Sequence, residues 1–410
     1  MGTKTVQRRY DLDWLRVLVF AGVFFYHSAR FFNSSDWHIK NAETSVVIEI
    51  ILSIFNLWGM QLMFALSGAG ILFALQPGSV VRFLRDRVMR LLVPLALGIL
   101  VLAPPQIYLE RLTHGEFQGN FFQFLPRYFD SDFAWTGVHL WYLEYLFLFT
   151  LVLTPLFVWL KHPASQHAIG VLSRFSVRPG AIFLWVLPFA LLLILVDPFG
   201  LMRPAPPEAI LRLLIYPLFV VCGFLIFADD SIQQAIIRQR RAALILALVS
   251  SLTMPLIALG IQEWGWKLDM LTFSLVMIAA SLLSWSYIIA ILGYGMRYLN
   301  TNRPLLAYAN EAVLPFYILH QPMILLIGFF VIPLALPIAV KYLIIAPLAF
   351  GIVLGLYEYG VRRWNLVRRV FGLKTRKVER MDESAPSPSL PDFNFANGAG
   401  GISTTGADRG

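Results

Sequence analysis

The chain has 410 residues, of which 58% are hydrophobic and only 14% charged, whereas a soluble domain carries about a quarter charged residues; this balance excludes a soluble globular protein and marks an integral membrane protein. The net charge of +9 does not point to nucleic acid, because the Lys and Arg residues gather in alternate loops between apolar runs. The single cysteine, Cys222, sits in an apolar run, which excludes a disulfide framework and a thiolate metal site.

Apolar stretches near the spanning length of about 20 residues fall at 14–32, 46–75, 88–104, 140–160, 181–197, 211–228, 242–261, 270–294, 305–330 and 337–360. They predict an all-α, polytopic membrane bundle of about ten transmembrane helices. Lys4, Arg8 and Arg9 before the first run imitate a signal peptide, but no small-residue cleavage site follows. That run therefore reads as an uncleaved span. With the N-terminus inside, the inner loops collect most of the Lys and Arg, notably at 82–90, 238–241 and 362–380. The asymmetry places both termini in the cytoplasm. Residues 105–138 read as the longest outer loop, with Glu110, His114, Glu116, Arg127, Asp130 and Asp132 among aromatics. The membrane domain is expected over 1–375. Residues 376–410, rich in Ser, Pro and Gly, read as a disordered cytoplasmic tail.

The first run, Asp13–Phe32, is the most informative, because it carries Arg16 and His27 inside an apolar stretch. Eleven residues on a helix turn through about 1100°, so both side chains lie on one stripe, about 16 Å apart along the axis. Charge inside a membrane helix marks a functional site by default. Depth sorts the other polar residues into two layers. The inner layer holds Arg16, Arg82, Arg85, Arg87, Arg90, Arg297 and Arg303, with Asn310 and Glu311 nearer the inside. The outer layer holds His27, His139, Trp141, Glu144 and His320. Clustered guanidinium forks suit phosphates, and an outer histidine suits proton abstraction near neutral pH. A ligand with phosphates at one end and a reactive group an extended arm away fits both layers, and acyl-coenzyme A has that shape. Plainer readings stand beside this one. Arg82 and the C-terminal basic run suit lipid headgroups, and Asp13 suits an ion pair with Arg16. On a regular helix Arg85 and Arg87 point to different sides, so at most one reaches a common ligand.

Five segments in order carry a family resemblance: LDWLR followed by His27; MFALSGAGI (Met63–Ile71); FLRDRVMRLLVP (Phe83–Pro94); HLWYLEYL (His139–Leu146); and ANEAVLPFYILHQP (Ala309–Pro322). Together they resemble the motifs of the membrane-bound acyltransferase 3 family, most of all its glucan-modifying branch. Ala69 and Gly70 depart from the family's usual Phe-Leu, and Asn310-Glu311-Ala312 from its Ser-Tyr stretch. The resemblance implies a multi-pass protein of the bacterial inner membrane. It would be an O-acyltransferase moving acetyl or succinyl from cytoplasmic acyl-CoA to a hydroxyl of an extracytoplasmic carbohydrate or glycolipid. It implies His27 as catalytic base and Arg16, Arg85 and Arg87, with Arg90 beside them, as the donor site. Glu144 is the group assigned to orient His27, and His139, Trp141, Glu311 and His320 are assigned to substrate. Acyl-CoA is a co-substrate, with no tightly bound cofactor and no metal. The rival reading is a transporter or flippase for an anionic solute, against which stands the lack of matching inverted repeats.

Overall fold

The computed structural model describes residues 8–76, 78–132, 138–196, 208–262 and 269–376. The regular elements among them are all helical. In chain order they are α1 (Tyr10–Ala29), α2 (Val46–Asn56), α3 (Gly59–Ala74), α4 (Val80–Thr113), α5 (Phe121–Arg127), α6 (Trp141–Lys161), α7 (Gln166–Ser176), α8 (Leu187–Val196), α9 (Glu208–Ala228), α10 (Asp230–Gln262), α11 (Met270–Tyr298), α12 (Pro304–Val331), α13 (Ile338–Gly355) and α14 (Asn365–Val370). Contacts divide the chain into Met1–Thr375 and Arg376–Gly410. Residues 377–410, nearly all of the expected tail, lie outside the described residues.

Among the described residues, seven helical runs are long and apolar enough to cross a membrane, or eight if a bent pair counts as one span. The expected ten are not reached by that criterion. The stretch at 181–197 becomes a shorter apolar helix, Ala181–Leu195, and those at 211–228 and 242–261 lie on either side of a 104° bend. The bend has a local cause. Asp229 accepts hydrogen bonds from the backbone N–H of Ser231 at 2.8 Å and from the Ser173 hydroxyl at 2.9 Å. It starts α10 as a fresh helix instead of prolonging α9.

The helix α4 is longer than the sequence suggested. Pro104 and Pro105 stand at the first positions of a helical segment, Ala103–Thr113, where proline's missing N–H costs nothing. The residues expected to open a loop at 105 therefore continue the helix to Thr113, and Glu110 lies on it. Two π-helical turns, Val88–Leu92 and Gly98–Leu102, interrupt α4. Each precedes a proline or proline pair. A proline frees a carbonyl one turn back, and a widened turn takes up the shift in register.

Helices α1, α3, α9, α11, α12 and α13 surround the centre, with α1 touching α3, α11, α12 and α13. The α3–α9 crossing depends on small residues. A Cβ on Gly68 would lie 1.9 Å from the Val220 carbonyl oxygen, and one on Gly223 would lie 1.8 Å from that of Ala65. The two backbones touch, as small residues permit in membrane bundles.

The segment after α1, residues 33–45, is tied down by two lysines. Lys40 Nζ donates to the carbonyls of Arg30 and Asn33 at 2.9 and 2.5 Å. Lys341 Nζ, buried on α13, donates to Asn41 Oδ1 at 2.7 Å and to the Ile332 carbonyl at 2.6 Å. Desolvation, followed by the nearby Arg30 charge, lowers the Lys40 pKa from its ordinary value. These bonds fix Trp37 and His38 near the end of α1 where His27 stands.

Candidate functional site

Three histidines from distant parts of the chain meet. The His27 ring on α1 lies 5.1 Å from the His320 ring on α12, and His320 lies 5.2 Å from His139, which immediately precedes α6. His139 and His320 are buried, at 5% and 2% exposure. Backbone carbonyls fix their tautomers. His139 Nε2 donates to the Ile318 carbonyl at 3.1 Å, and His320 Nδ1 donates to the Tyr317 carbonyl at 2.6 Å. Each therefore keeps one bare lone pair, on His139 Nδ1 and His320 Nε2, and both atoms are buried without a partner. His27 makes no side-chain hydrogen bond to any described residue, and its Nδ1 is also buried and unpartnered. Its imidazole is thus the unengaged base of the three. Val138, just before His139, adopts φ +50°. That conformation is costly for a β-branched residue, and such strain concentrates at sites where geometry matters.

The arginines gather around a separate cavity of about 630 Å³. Arg16, Arg87, Arg90, Arg368 and Lys374 line it together with Asn310 and Glu311. Arg16 Nη1 donates to Asp13 at 3.3 Å and to Asn310 Oδ1 at 3.4 Å. The Arg87 guanidinium stacks over Phe83 at 4.8 Å, and its Nε is buried without a partner. Arg368 Nη1 donates to Glu311 at 2.6 Å. A smaller cavity of about 280 Å³ shares Arg16, Gly70 and Phe73 with the first and adds Arg8 and Arg9. Gly70, one of the departures from the family pattern, stands between the two. A Cβ there would meet only Arg16, at 3.8 Å.

Between the arginines and the histidines lies a layer of aromatic rings. Phe20, Tyr142 and Tyr317 are 5.4 to 6.3 Å apart, all at steep angles. Tyr142 shares a 2.6 Å hydrogen bond with Ser67, and Tyr317 donates to the His139 carbonyl at 2.5 Å. The layer therefore touches both sites.

The structure thus brings His27, His139 and His320 together in one group, and Arg16, Arg87, Arg90 and Glu311 in another. Arg85 is apart: it is exposed on α4 and does not line the cavity. Arg87 and Arg90, three residues apart on α4, share the cavity side. Glu144 is half-buried on α6 and makes no hydrogen bond to His27. Trp141 packs on Phe64 and Tyr216, with the Arg212 guanidinium 4.1 Å over its ring, and lies outside the histidine group. The C-terminal basic run, expected at lipid headgroups, contributes Arg368, which is only 5% exposed. Helix α14 packs against α4, and just beyond it Gly372, at φ +72°, lies so close that a Cβ there would sit 2.8 Å from the Arg90 carbonyl. Sequence reasoning also missed a chain of polar contacts beside the histidines. Glu110 Oε2 is 2.5 Å from His38 Nδ1, and His38 Nε2 is 3.1 Å from Gln321 Nε2. The Gln321-Pro322 pair after His320 was its one visible signal. Among the described residues, no group of His, Cys, Asp or Glu has the geometry to hold a metal ion.

The family model described as an acyltransferase domain matches residues 9–358. Curated relatives carry the name Glucans biosynthesis protein C. Those of Escherichia coli strain K12, strain SMS-3-5 and strain O157:H7 are each 24% identical over 400 residues, covering 94% of this chain and all of theirs. No solved structure matches. The chain belongs to the acyltransferase 3 family and is a multi-pass membrane acyltransferase.

Proposed function

We propose that this member of the acyltransferase 3 family transfers an acetyl or succinyl group from acyl-CoA, entering from the cytoplasm, to a hydroxyl of a carbohydrate on the other side of the bacterial inner membrane. Both termini lie in the cytoplasm in this reading, with 1–375 as the membrane domain. The relatives' name supports a glucan as the carbohydrate. Arg16, Arg87, Arg90, Arg368 and Lys374 supply the positive field for the coenzyme A phosphates, as clustered guanidinium groups do for phosphate oxygens. Acyl-CoA is a co-substrate, and no bound cofactor takes part. The extended arm carries the thioester past Phe20, Tyr142 and Tyr317 to the histidines.

There His27 removes the acceptor hydroxyl's proton while the oxygen attacks the thioester carbonyl. Collapse of the tetrahedral intermediate breaks the C–S bond. The thiolate leaves with the proton returned from His27, so ester and free coenzyme A account for every atom. His139 and His320, whose tautomers are fixed by carbonyl acceptors, each offer an unpartnered ring nitrogen beside the base. The observation that carries this reading is His27: it is the cluster's unengaged imidazole, on the same helix as the cavity-lining Arg16.

The test is coenzyme A release by protein in proteoliposomes given acetyl- or succinyl-CoA and a gluco-oligosaccharide. Release should be lost in His27→Ala while donor binding persists. Release that survives His27→Ala overturns the assignment of the base. Solute flux without acyl-CoA consumption would support an anion transporter instead.

A further inference from the structure

Around the histidines the structure holds a set of polar groups that the transfer step does not use. His38 and Glu110 are partly open to solvent, their side chains 16% and 32% exposed. Since His38 Nδ1 donates to the Glu110 carboxylate, its Nε2 is the acceptor for the Gln321 amide. Gln321 is 1% exposed, and its carbonyl Oε1 is buried with no partner. Gln106, one helical turn before Glu110 and on the same face, is also 1% exposed, with its Oε1 unpartnered. His320 Nε2 and His27 Nδ1 are in the same condition. A buried polar atom without a partner is destabilising, and the hydroxyls of a ligand would supply the missing partners. Beside them stands Trp37, half-buried, its ring 6.2 Å from His27 and 4.8 Å from Phe31.

We infer that Trp37, His38, Glu110 and Gln321 form the subsite that holds the carbohydrate acceptor beside His27. The inference rests on the acyltransferase reading and names where its second substrate sits. The chemistry fits a sugar: a carboxylate accepts hydrogen bonds from two neighbouring hydroxyls, bare imidazole and amide oxygen lone pairs accept others, and an indole covers the apolar face of a pyranose ring. The segment 33–45, anchored by Lys40 and Lys341, holds Trp37 and His38 at a fixed distance from His27. The subsite therefore selects which hydroxyl reaches the base.

The test uses the full-length protein in nanodiscs and a linear gluco-oligosaccharide as probe, with binding measured by calorimetry in the absence of donor. Glu110→Gln and Trp37→Leu should each weaken oligosaccharide binding by about tenfold or more, while both variants stay monodisperse and bind acetyl-CoA as the parent does. In turnover the loss should appear in the acceptor KM, with the donor KM unmoved. If Glu110→Gln does not fold, Trp37→Leu and His38→Gln carry the test. Binding within about twofold of the parent in the folded variants, or a parent that does not bind the oligosaccharide at all, overturns the subsite. Glu110-dependent sugar binding without any coenzyme A release would leave the subsite standing and overturn the transfer reading. His27-dependent release with an unchanged acceptor KM in Glu110→Gln would do the reverse.

Discussion

The Arg368–Glu311 pair offers a sharp test of the guanidinium cavity. The pair puts a carboxylate on the wall of a site proposed to take phosphates, and Arg368 neutralises it at 2.6 Å. Arg368→Ala should remove one charge-assisted hydrogen bond to the donor, worth about 1.5–3 kcal/mol. It should also leave Glu311 facing the phosphates. At roughly 8 Å and an effective dielectric of about 20, that repulsion adds about 2 kcal/mol. The two effects together come to about 4 kcal/mol, or about a thousandfold in the Kd for coenzyme A. The double variant Arg368→Ala/Glu311→Gln removes the stranded charge, so it should recover about 2 kcal/mol and bind about thirtyfold more tightly than the single one. Arg368 also donates to the Lys374 carbonyl at 2.8 Å. Both variants lose that bond, so it cancels from the comparison. Calorimetric titration of coenzyme A into the nanodisc-embedded proteins reads the difference directly. A double variant that binds no better than the single one would refute the reasoning, because Glu311 would then exert no force on the bound anion.

Other expectations follow from the packing. Gly223→Ala should prevent the α3–α9 contact, since the new methyl group would overlap the Ala65 carbonyl; overpacking of this kind costs about 1–3 kcal/mol or more, seen as a lower thermal midpoint and poor recovery of monodisperse protein. Gly351→Ala, at an exposed position of α13 with nothing within 4 Å of the added Cβ, should leave the midpoint unchanged or slightly raised. Gly70→Leu should fill the space between the two basic cavities and raise the donor KM without moving the acceptor KM; an unchanged donor KM would place the donor elsewhere.

Much of this arrangement is legible in the chain. Hydropathy marks the long spans, and helical periodicity alone aligns Arg16 with His27. The depth argument puts His27, His139 and His320 in one layer, and they meet there. What escapes sequence reasoning has physical causes. Arg368 reaches the cavity because α14 packs back against α4, a long-range contact that composition does not encode. Glu110 falls beyond the apolar stretch that ends at 104, yet the helix runs on through Pro104 and Pro105 to Thr113 and carries it.

The three rings of Phe20, Tyr142 and Tyr317 bear on the electrical integrity of the cell. A membrane voltage falls most steeply where the insulating layer between conducting compartments is thinnest, and each elementary charge carried across 100 mV is worth about 2.3 kcal/mol. Here a single layer of aromatic side chains stands between the guanidinium cavity and the histidines. In the proposed transfer of an acetyl group, a slender, uncharged arm would pass these rings while the phosphates stay among the arginines, whereas a succinyl group would carry its carboxylate's charge past them.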